Sequence, residues 1–499
     1  MPGLASPRAA LQNVSERATE QVPRMETQHP EALATGWHQP PSMGFLRRVS
    51  TVTAFATATA VLVGAHDRQL FWNTAEPFEL KLQAPLAKLF AQGRTDEHAK
   101  VAGVVSYKEP DGRPVTIDAV QVSVRGNTSR RDTECTFPKL KLDLDGAKTA
   151  NSPFAGFKAI KIGTHCGEAA DRDLTPRFGR LANQRSPLRE AFVYKLLGVM
   201  GVPTLNARPA RITYIDPDAP SGQPLVRDAV LLEDDDDAVA RFGAKGEIDE
   251  QAFGSARDRF AAADTARLAF AEAMVGNFDW CLKFTPDDTF RCDARHPLWN
   301  ITALDMGGGR AVPLVRDFDL AGMVTGRHAW FDDVFSAAFS RSGSPIDVEV
   351  IAQVQRTRSL FPRAVLDAAR REFLGRRAAA SHELDRARLD PGGLRIIRQY
   401  LDAFYSAIGT EAAFYRPVLI KDGTRLYLDA AKTKEACEPG DTIPVGTAIG
   451  EPAQRSGSMI RAVLLDVMWR WGPPNHCDAI HSGPVWIDAA AVGTDYPAR

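Results

Sequence analysis

The chain is poor in several things. Cysteine is scarce, with six residues in 499. That is too few for a disulfide-scaffolded fold, so burial of apolar surface must supply most of the stability. Neither sign of charge dominates: Lys+Arg total 61 and Asp+Glu 62, a formal net charge of −1. With no basic tract either, nucleic acid is disfavoured as a partner. No apolar run reaches the ~20 residues needed to cross a bilayer, so no integral span is expected in the mature chain. Internal repeats are absent, as are a G-x-S-x-G elbow and an H-E-x-x-H pair, which argues against a hydrolase. The remaining composition, 44% hydrophobic and 25% charged, is that of a globular protein, and the length suggests about three domains.

Residues 1–42 are rich in Pro, Gln, Ser, Thr and Ala and lack apolar periodicity. They are expected to be disordered, or a mis-annotated extension with Met43 as the true start. Arg47 and Arg48, the uncharged stretch Thr51–Gly64 and the small residues before and at Ala65 predict a secretory signal peptide over 43–65. A buried or anchoring helix is the alternative. Export to the periplasm or cell surface would favour cysteine pairing. Sequence order suggests Cys135–Cys166, Cys281–Cys292 and Cys437–Cys477, one of many connectivities that six cysteines allow. His476, Cys477 and His481 form an alternative metal set that lacks a second thiolate.

Alternating segments follow. Strands are expected at Phe78–Leu82, Val101–Tyr107, Val115–Val124, Phe137–Leu144, Phe157–Gly163, Arg208–Ile215 and Asp228–Glu233. In Phe137–Leu144, Leu140, Leu142 and Leu144 share one face while Lys139, Lys141 and Asp143 share the other. Ser186 and Pro187 open a helix with an apolar stripe through Leu188, Phe192, Leu196 and Met200. A second helix is expected over Ser255–Val275, then strands near Trp299–Leu304 and Ala311–Val315, helices over 347–410, and β pattern with Gly and Pro turns to the end. This order is α+β rather than doubly wound.

Several segments carry chemistry. Arg125-Gly126-Asn127-Thr128-Ser129-Arg130-Arg131 lies between two strands, where small residues and arginines suit an anion; an ordinary hairpin turn is the alternative. Lys161 on the next-but-one strand and Glu190 on the following helix match the order of a phosphate-binding lysine and the acid that holds it, with Lys141 as rival for the lysine. Asp279, on a loop after a helix, is placed to accept a hydroxyl proton. Asp317 and Asp319 follow the apolar strand Val312–Val315 as hard oxygen ligands suited to Mg²⁺, with Asn300 as an additional neutral oxygen.

On the segments VRGNTSRR, FPKLKLDL, SPLREAFVYKLLGVMGVPTLNARPARITYID, AVLLEDDDD, MVGNFDW and VPLVRDFDLAGMV, the chain resembles the CotH kinase-like family over about 110–330. The resemblance implies an atypical protein-kinase-like bilobal fold, spanning 79–412, that uses ATP and Mg²⁺ or Mn²⁺ to phosphorylate protein Ser or Thr outside the cytosol. It casts Arg125, Gly126 and Asn127 as the phosphate loop, Lys161 as the phosphate lysine and Asp279 as the catalytic-loop acid. Asp317 and Asp319 become the metal and catalytic carboxylates, Asn300 a further metal ligand, and Glu233-Asp234 the end of the strand lining the adenine site. A catalytically inactive kinase-fold binding protein of the envelope or spore surface is the alternative. Gly483–Ile487 resembles the closing strand of bacterial SH3-like domains, which implies a small all-β SH3-like barrel over 414–494 that binds peptide or cell-wall material. A β extension that only caps the helical half is the other reading.

Overall fold

The computed structural model describes residues 69–495 apart from 133–134, 146, 151, 164–185, 220–221, 251, 254–256, 283–296, 327–343, 359, 440, 442, 444, 451–453, 466–476 and 478–482. Residues 1–42, the segment 43–65, Cys166, Cys292, His476 and His481 therefore lie outside the described residues. Contacts divide the chain into Met1–Ala58 and Thr59–Arg499, and all described residues belong to the second unit.

That unit is mixed in class, with separate β and helical regions. Seven strands close into a barrel: β1 (Phe78–Gln83), β2 (Lys100–Lys108), β3 (Pro114–Val124), β4 (Leu140–Asp143), β5 (Ala159–Gly163), β6 (Ala207–Ile215) and β7 (Leu225–Glu233). The order around the barrel is β1-β2-β3-β4-β5-β7-β6. Neighbours are antiparallel except β1 and β6, which run parallel with Leu80 opposite Ile212. The expected hairpin of β2 and β3 is present, with a register shift between Gly103 and Val105.

Period-2 alternation decides what faces where. Leu140, Leu142, Ile160 and Ile162 are buried inside the barrel, which turns Lys139, Lys141 and Lys161 outward. Along β7, Ala229 and Leu231 join the barrel interior, whereas Val230 and Leu232 join the helical core. One strand thus serves two hydrophobic cores, and side chains on its outer face and those of β4 and β5 border the space between them.

Helix α1 (Leu86–Gly93) follows β1; a Cβ on Gly93 would sit 2.7 Å from Val124 Cγ2, so glycine permits that close packing. Helix α2 (Ser186–Val199) tolerates Pro187 because first-turn N–H groups have no intrahelical acceptor. The acidic run Asp234–Asp237 ends β7 and opens α3 (Asp235–Phe242), where carboxylates favour the positive end of the helix dipole. Next come α4 (Ala262–Val275), α5 (Gly322–Thr325), α6 (Pro345–Arg358), α7 (Arg363–Gly375), α8 (Arg377–Arg386), α9 (Pro391–Gly409) and α10 (Glu411–Phe414). Gly276 ends α4 at φ +66, and a Cβ there would collide with the Tyr400 ring. Between α3 and α5 run β8 (Gly246–Glu247), β9 (Cys281–Leu282), β10 (Leu298–Trp299), β11 (Ile301–Gly307) and β12 (Arg310–Val315), with Ile301 paired to Val315.

After α10 the chain is β, forming two four-stranded sheets around a core of its own that includes Leu419, Ile460, Leu464 and Ile487. Cys437 and Cys477 are joined by a disulfide across it, with Cα atoms 5.1 Å apart, as sequence order suggests. Cys135 and Cys281 are disulfide-bonded as well; their expected partners are outside the described residues.

Candidate active site

The loop from β3 to β4 forms one wall. The Arg125 N–H donates to the Lys139 carbonyl at 2.9 Å, so the loop leaves and rejoins the barrel at one point. Gly126 has φ +90, and a Cβ there would collide with Ser129 Oγ. Only glycine fits. Arg130 Nε donates to the Gly126 carbonyl at 2.6 Å, Ser129 Oγ donates to the Arg125 carbonyl at 3.2 Å, and Asn127 is exposed. Arg125 Nε is buried with no hydrogen-bond partner among the described residues.

Opposite the loop, the chain after β12 turns sharply. Asp317 has φ +63, a region that Asp and Asn tolerate better than other non-glycine residues. Its N–H donates to Tyr194 Oη at 2.9 Å, and the Tyr194 ring packs edge-on against Phe318 with centroids 4.9 Å apart. The apolar residue of Asp317-Phe318-Asp319 is therefore the anchor. The turn sends both carboxylates to one point, where Lys139 Nζ lies 2.5 Å from Asp317 Oδ1 and 2.8 Å from Asp319 Oδ2. The lysine side chain is only 7% exposed, but those of Asp317 and Asp319 are 39% and 29% exposed. The acids thus keep an open side.

Charge in this cluster is coupled. Burial works against the Lys139 ammonium, but Asp317 and Asp319 outweigh it and hold its pKa above the usual lysine value. Burial also pushes Asp317 up, yet Lys139, Arg125 and Arg316 together hold it below the ordinary carboxylate range. For Asp319, burial and the neighbouring Asp317 prevail over Lys139 and raise it. Glu190 is 4% exposed, and burial, with Asp319 and Asp317 adding to it against Lys139, pushes its carboxyl up to about 8.

Lys139, not Lys161, meets the two carboxylates, and Glu190 shares its surroundings. Lys161 lies directly across from Lys141 on the paired strands, and the end of β7 captures both. Lys161 Nζ is 2.5 Å from Asp235 Oδ2, and Lys141 Nζ is 2.8 Å from Asp234 Oδ1. Arg316 Nη1 joins Asp235 at 3.6 Å. Burial lowers the Lys161 pKa despite those acids. The physical reason is position: Lys139 sits at the mouth of the loop, one strand closer to Asp317, whereas Lys161 faces the start of α3.

Glu233 departs from its expected role too. Its carboxylate takes the Asn206 N–H at 3.0 Å, the Asn206 side-chain amide at 3.1 Å and Arg241 Nη2 at 2.6 Å. Arg241 also donates to the Thr204 carbonyl at 2.7 Å. This side chain thus ties the β6–β7 end to α3.

Asp279 stands on the loop after α4, 8% exposed. Its N–H donates to Asn277 Oδ1 at 3.0 Å. Asn277 in turn donates to the wholly buried Glu272 at 2.9 Å; burial, reinforced by Asp279, raises that carboxyl to about 8. Trp299 Nε1 donates to Asp279 Oδ1 at 3.1 Å, and Asn300 Nδ2 to Asp279 Oδ2 at 3.0 Å. Asn300 has φ +55 and accepts the Arg316 N–H on its carbonyl at 3.1 Å. Asn300 was expected as a metal ligand; its amide instead orients Asp279, and its backbone ties that acid to the residue preceding Asp317.

Asp317 and Asp319 have the hard oxygens that a divalent cation would take, and those oxygens already converge on a positive charge. Among the described residues there is no group of three or more His, Cys, Asp or Glu that could hold a metal, so the two carboxylates are by themselves an incomplete metal site; Mg²⁺ is commonly held by one or two carboxylates together with substrate phosphates. Sequence reasoning missed Lys139 and Tyr194. The signal for Lys139 lay in FPKLKLDL, where it shares a face with Lys141; Tyr194 lies one helical turn beyond Glu190. Replacing Tyr194 by Phe removes the acceptor of the Asp317 N–H and is expected to cost about 1 kcal/mol of stability. Thermal melting would check it; an unchanged melting temperature would contradict the anchoring role.

No protein-family model matches the chain, and no curated protein is significantly similar to it.

Proposed function

We propose that this protein is an exported CotH-like kinase that transfers the ATP γ-phosphate to Ser or Thr of protein substrates with Mg²⁺ or Mn²⁺. The observation that carries the proposal is the convergence of Asp317 and Asp319 on one ammonium, Lys139, beside buried Glu190 and the Gly126 loop. Phosphoryl transfer asks mainly for positioning and charge neutralisation, and these residues supply both. Arg125 and the loop N–H groups bind the phosphates. Lys139 pairs with their oxygens; Asp317 and Asp319 would hold the metal, which when bound would supply neutralisation of phosphate charge. Asp279, oriented by Asn300 and Trp299, accepts the proton of the attacking hydroxyl. Under this proposal the barrel with α2 is the first lobe of an atypical kinase and the remaining helices the second. The carboxy-terminal sheets form an SH3-like module that docks on peptide or wall material at the cell surface or in the periplasm. The Cys437–Cys477 disulfide suits such an oxidising compartment.

A second reading, an inactive kinase-fold binding protein of the envelope or spore surface, is favoured by one observation: Lys139 already neutralises both carboxylates. Incubation of the purified protein with γ-labelled ATP and Mg²⁺ or Mn²⁺ separates the two. Self-labelling, or labelling of an added Ser/Thr-rich acceptor, is expected. No label with either metal, together with no nucleotide binding, overturns the kinase proposal.

A further inference from the structure

We infer that Lys139 makes the Asp317–Asp319 pair selective for a metal–nucleotide complex over the free divalent cation, because its ammonium fills the cation position until a polyphosphate arrives to receive it. This rests on the proposed function and adds an order of binding to it.

Three observations support the exchange. The first is occupancy: one Nζ lies within hydrogen-bond distance of both carboxylates, in the space a cation bridging them would need. The second is charge. Two acids face two cations, Lys139 and Arg125. The cluster is already balanced, and the described residues offer no metal-ready trio of acids to offset a free dication. A metal bound to a triphosphate brings net negative charge, which the displaced ammonium and Arg125 can meet.

The third observation is placement. Lys139 immediately precedes β4, and its carbonyl accepts the Arg125 N–H at 2.9 Å, so its backbone is fixed at the root of the loop that faces the phosphates. A flexible four-carbon stem lets the ammonium swing from acids to phosphate without moving that backbone. Asp317 and Asp319 remain 39% and 29% exposed, so a ligand can reach both from solvent.

The test is Mn²⁺ binding to the full-length protein, followed by electron paramagnetic resonance, with and without a non-hydrolysable ATP analogue. For the wild type, Mn²⁺ alone binds weakly and the analogue tightens it. In Lys139→Met, removing a positive charge from beside the site raises affinity for Mn²⁺ alone by about tenfold or more, and the enhancement by the analogue shrinks. If Lys139→Met takes up Mn²⁺ alone no better than wild type, while wild type binds Mn²⁺ with the analogue, the inference is overturned and the kinase proposal stands. If wild type takes up no Mn²⁺ even with the analogue, the kinase proposal fails and this inference with it. Lys139→Gln, neutral and still able to hydrogen-bond both acids, replaces the Met variant should that chain not fold, and the same rise in affinity is expected.

Discussion

Asp317→Asn will lose metal-dependent nucleotide binding while the protein keeps its fold. The choice of asparagine follows from the backbone. Asp317 has φ +63, where Asn sits with little strain but Ala does not; an alanine variant would mix the loss of a ligand with distortion of the turn. In the asparagine variant the backbone N–H at this position can still donate to Tyr194, and Phe318 stays packed on the same ring. What disappears is the charge that faces Lys139 and a bound cation. Even an outer partner of a metal ligand is worth about 10–100-fold in affinity, so a direct ligand should cost at least about 100-fold. Calorimetry of ATP with Mg²⁺ or Mn²⁺ measures this directly, and circular dichroism confirms the fold. Unchanged metal-dependent affinity would remove Asp317 from the site.

Asp279→Asn is expected to do the opposite: spare binding and stop transfer. Asp279 makes contacts with Asn277, Trp299 and Asn300, whereas Lys139 meets Asp317 and Asp319, and the substitution leaves those two carboxylates unchanged. An amide cannot take a hydroxyl proton, and a positioned general base typically contributes about 10²–10⁴-fold. The asparagine has one acceptor oxygen for two donors, so it keeps the bond from either Trp299 or Asn300 and loses the other. Phosphate incorporation should fall by that factor with nucleotide affinity within about threefold of wild type. Equal incorporation by the variant would exclude Asp279 as the base, and lost nucleotide binding would give it a structural part instead.

The sequence made some of this legible. Strict alternation in FPKLKLDL and FKAIKIG correctly placed Leu140, Leu142, Ile160 and Ile162 inward and the lysines outward. Alternation fixes a face, however, and not which of three lysines on that face reaches across a cleft. The choice fell to Lys139 because the loop folds back on its carbonyl, a tertiary hydrogen bond with no local signature. The aspartates after Val312–Val315 and the acid in Gly-Asn-Phe-Asp-Trp were readable from their positions after an apolar strand and a helix. Their holders were not. Tyr194, Asn300 and Trp299 are ordinary residues until the fold sets them against an aspartate. Glu233 shows the converse: an acid at a strand end looked free for a ligand, and Arg241, on the following helix, had taken it.

One structural feature bears on how the chain reaches this state. β1 is sealed into the barrel by its parallel pairing with β6, Leu80 against Ile212, so the first of the barrel strands to emerge must wait for one far downstream. Non-local closure of this kind slows folding, since the entropy of a long loop is lost before any contact offsets it. During synthesis β1 and β2 leave an open sheet edge until α2 and β6 have followed, and such an edge invites pairing with other chains.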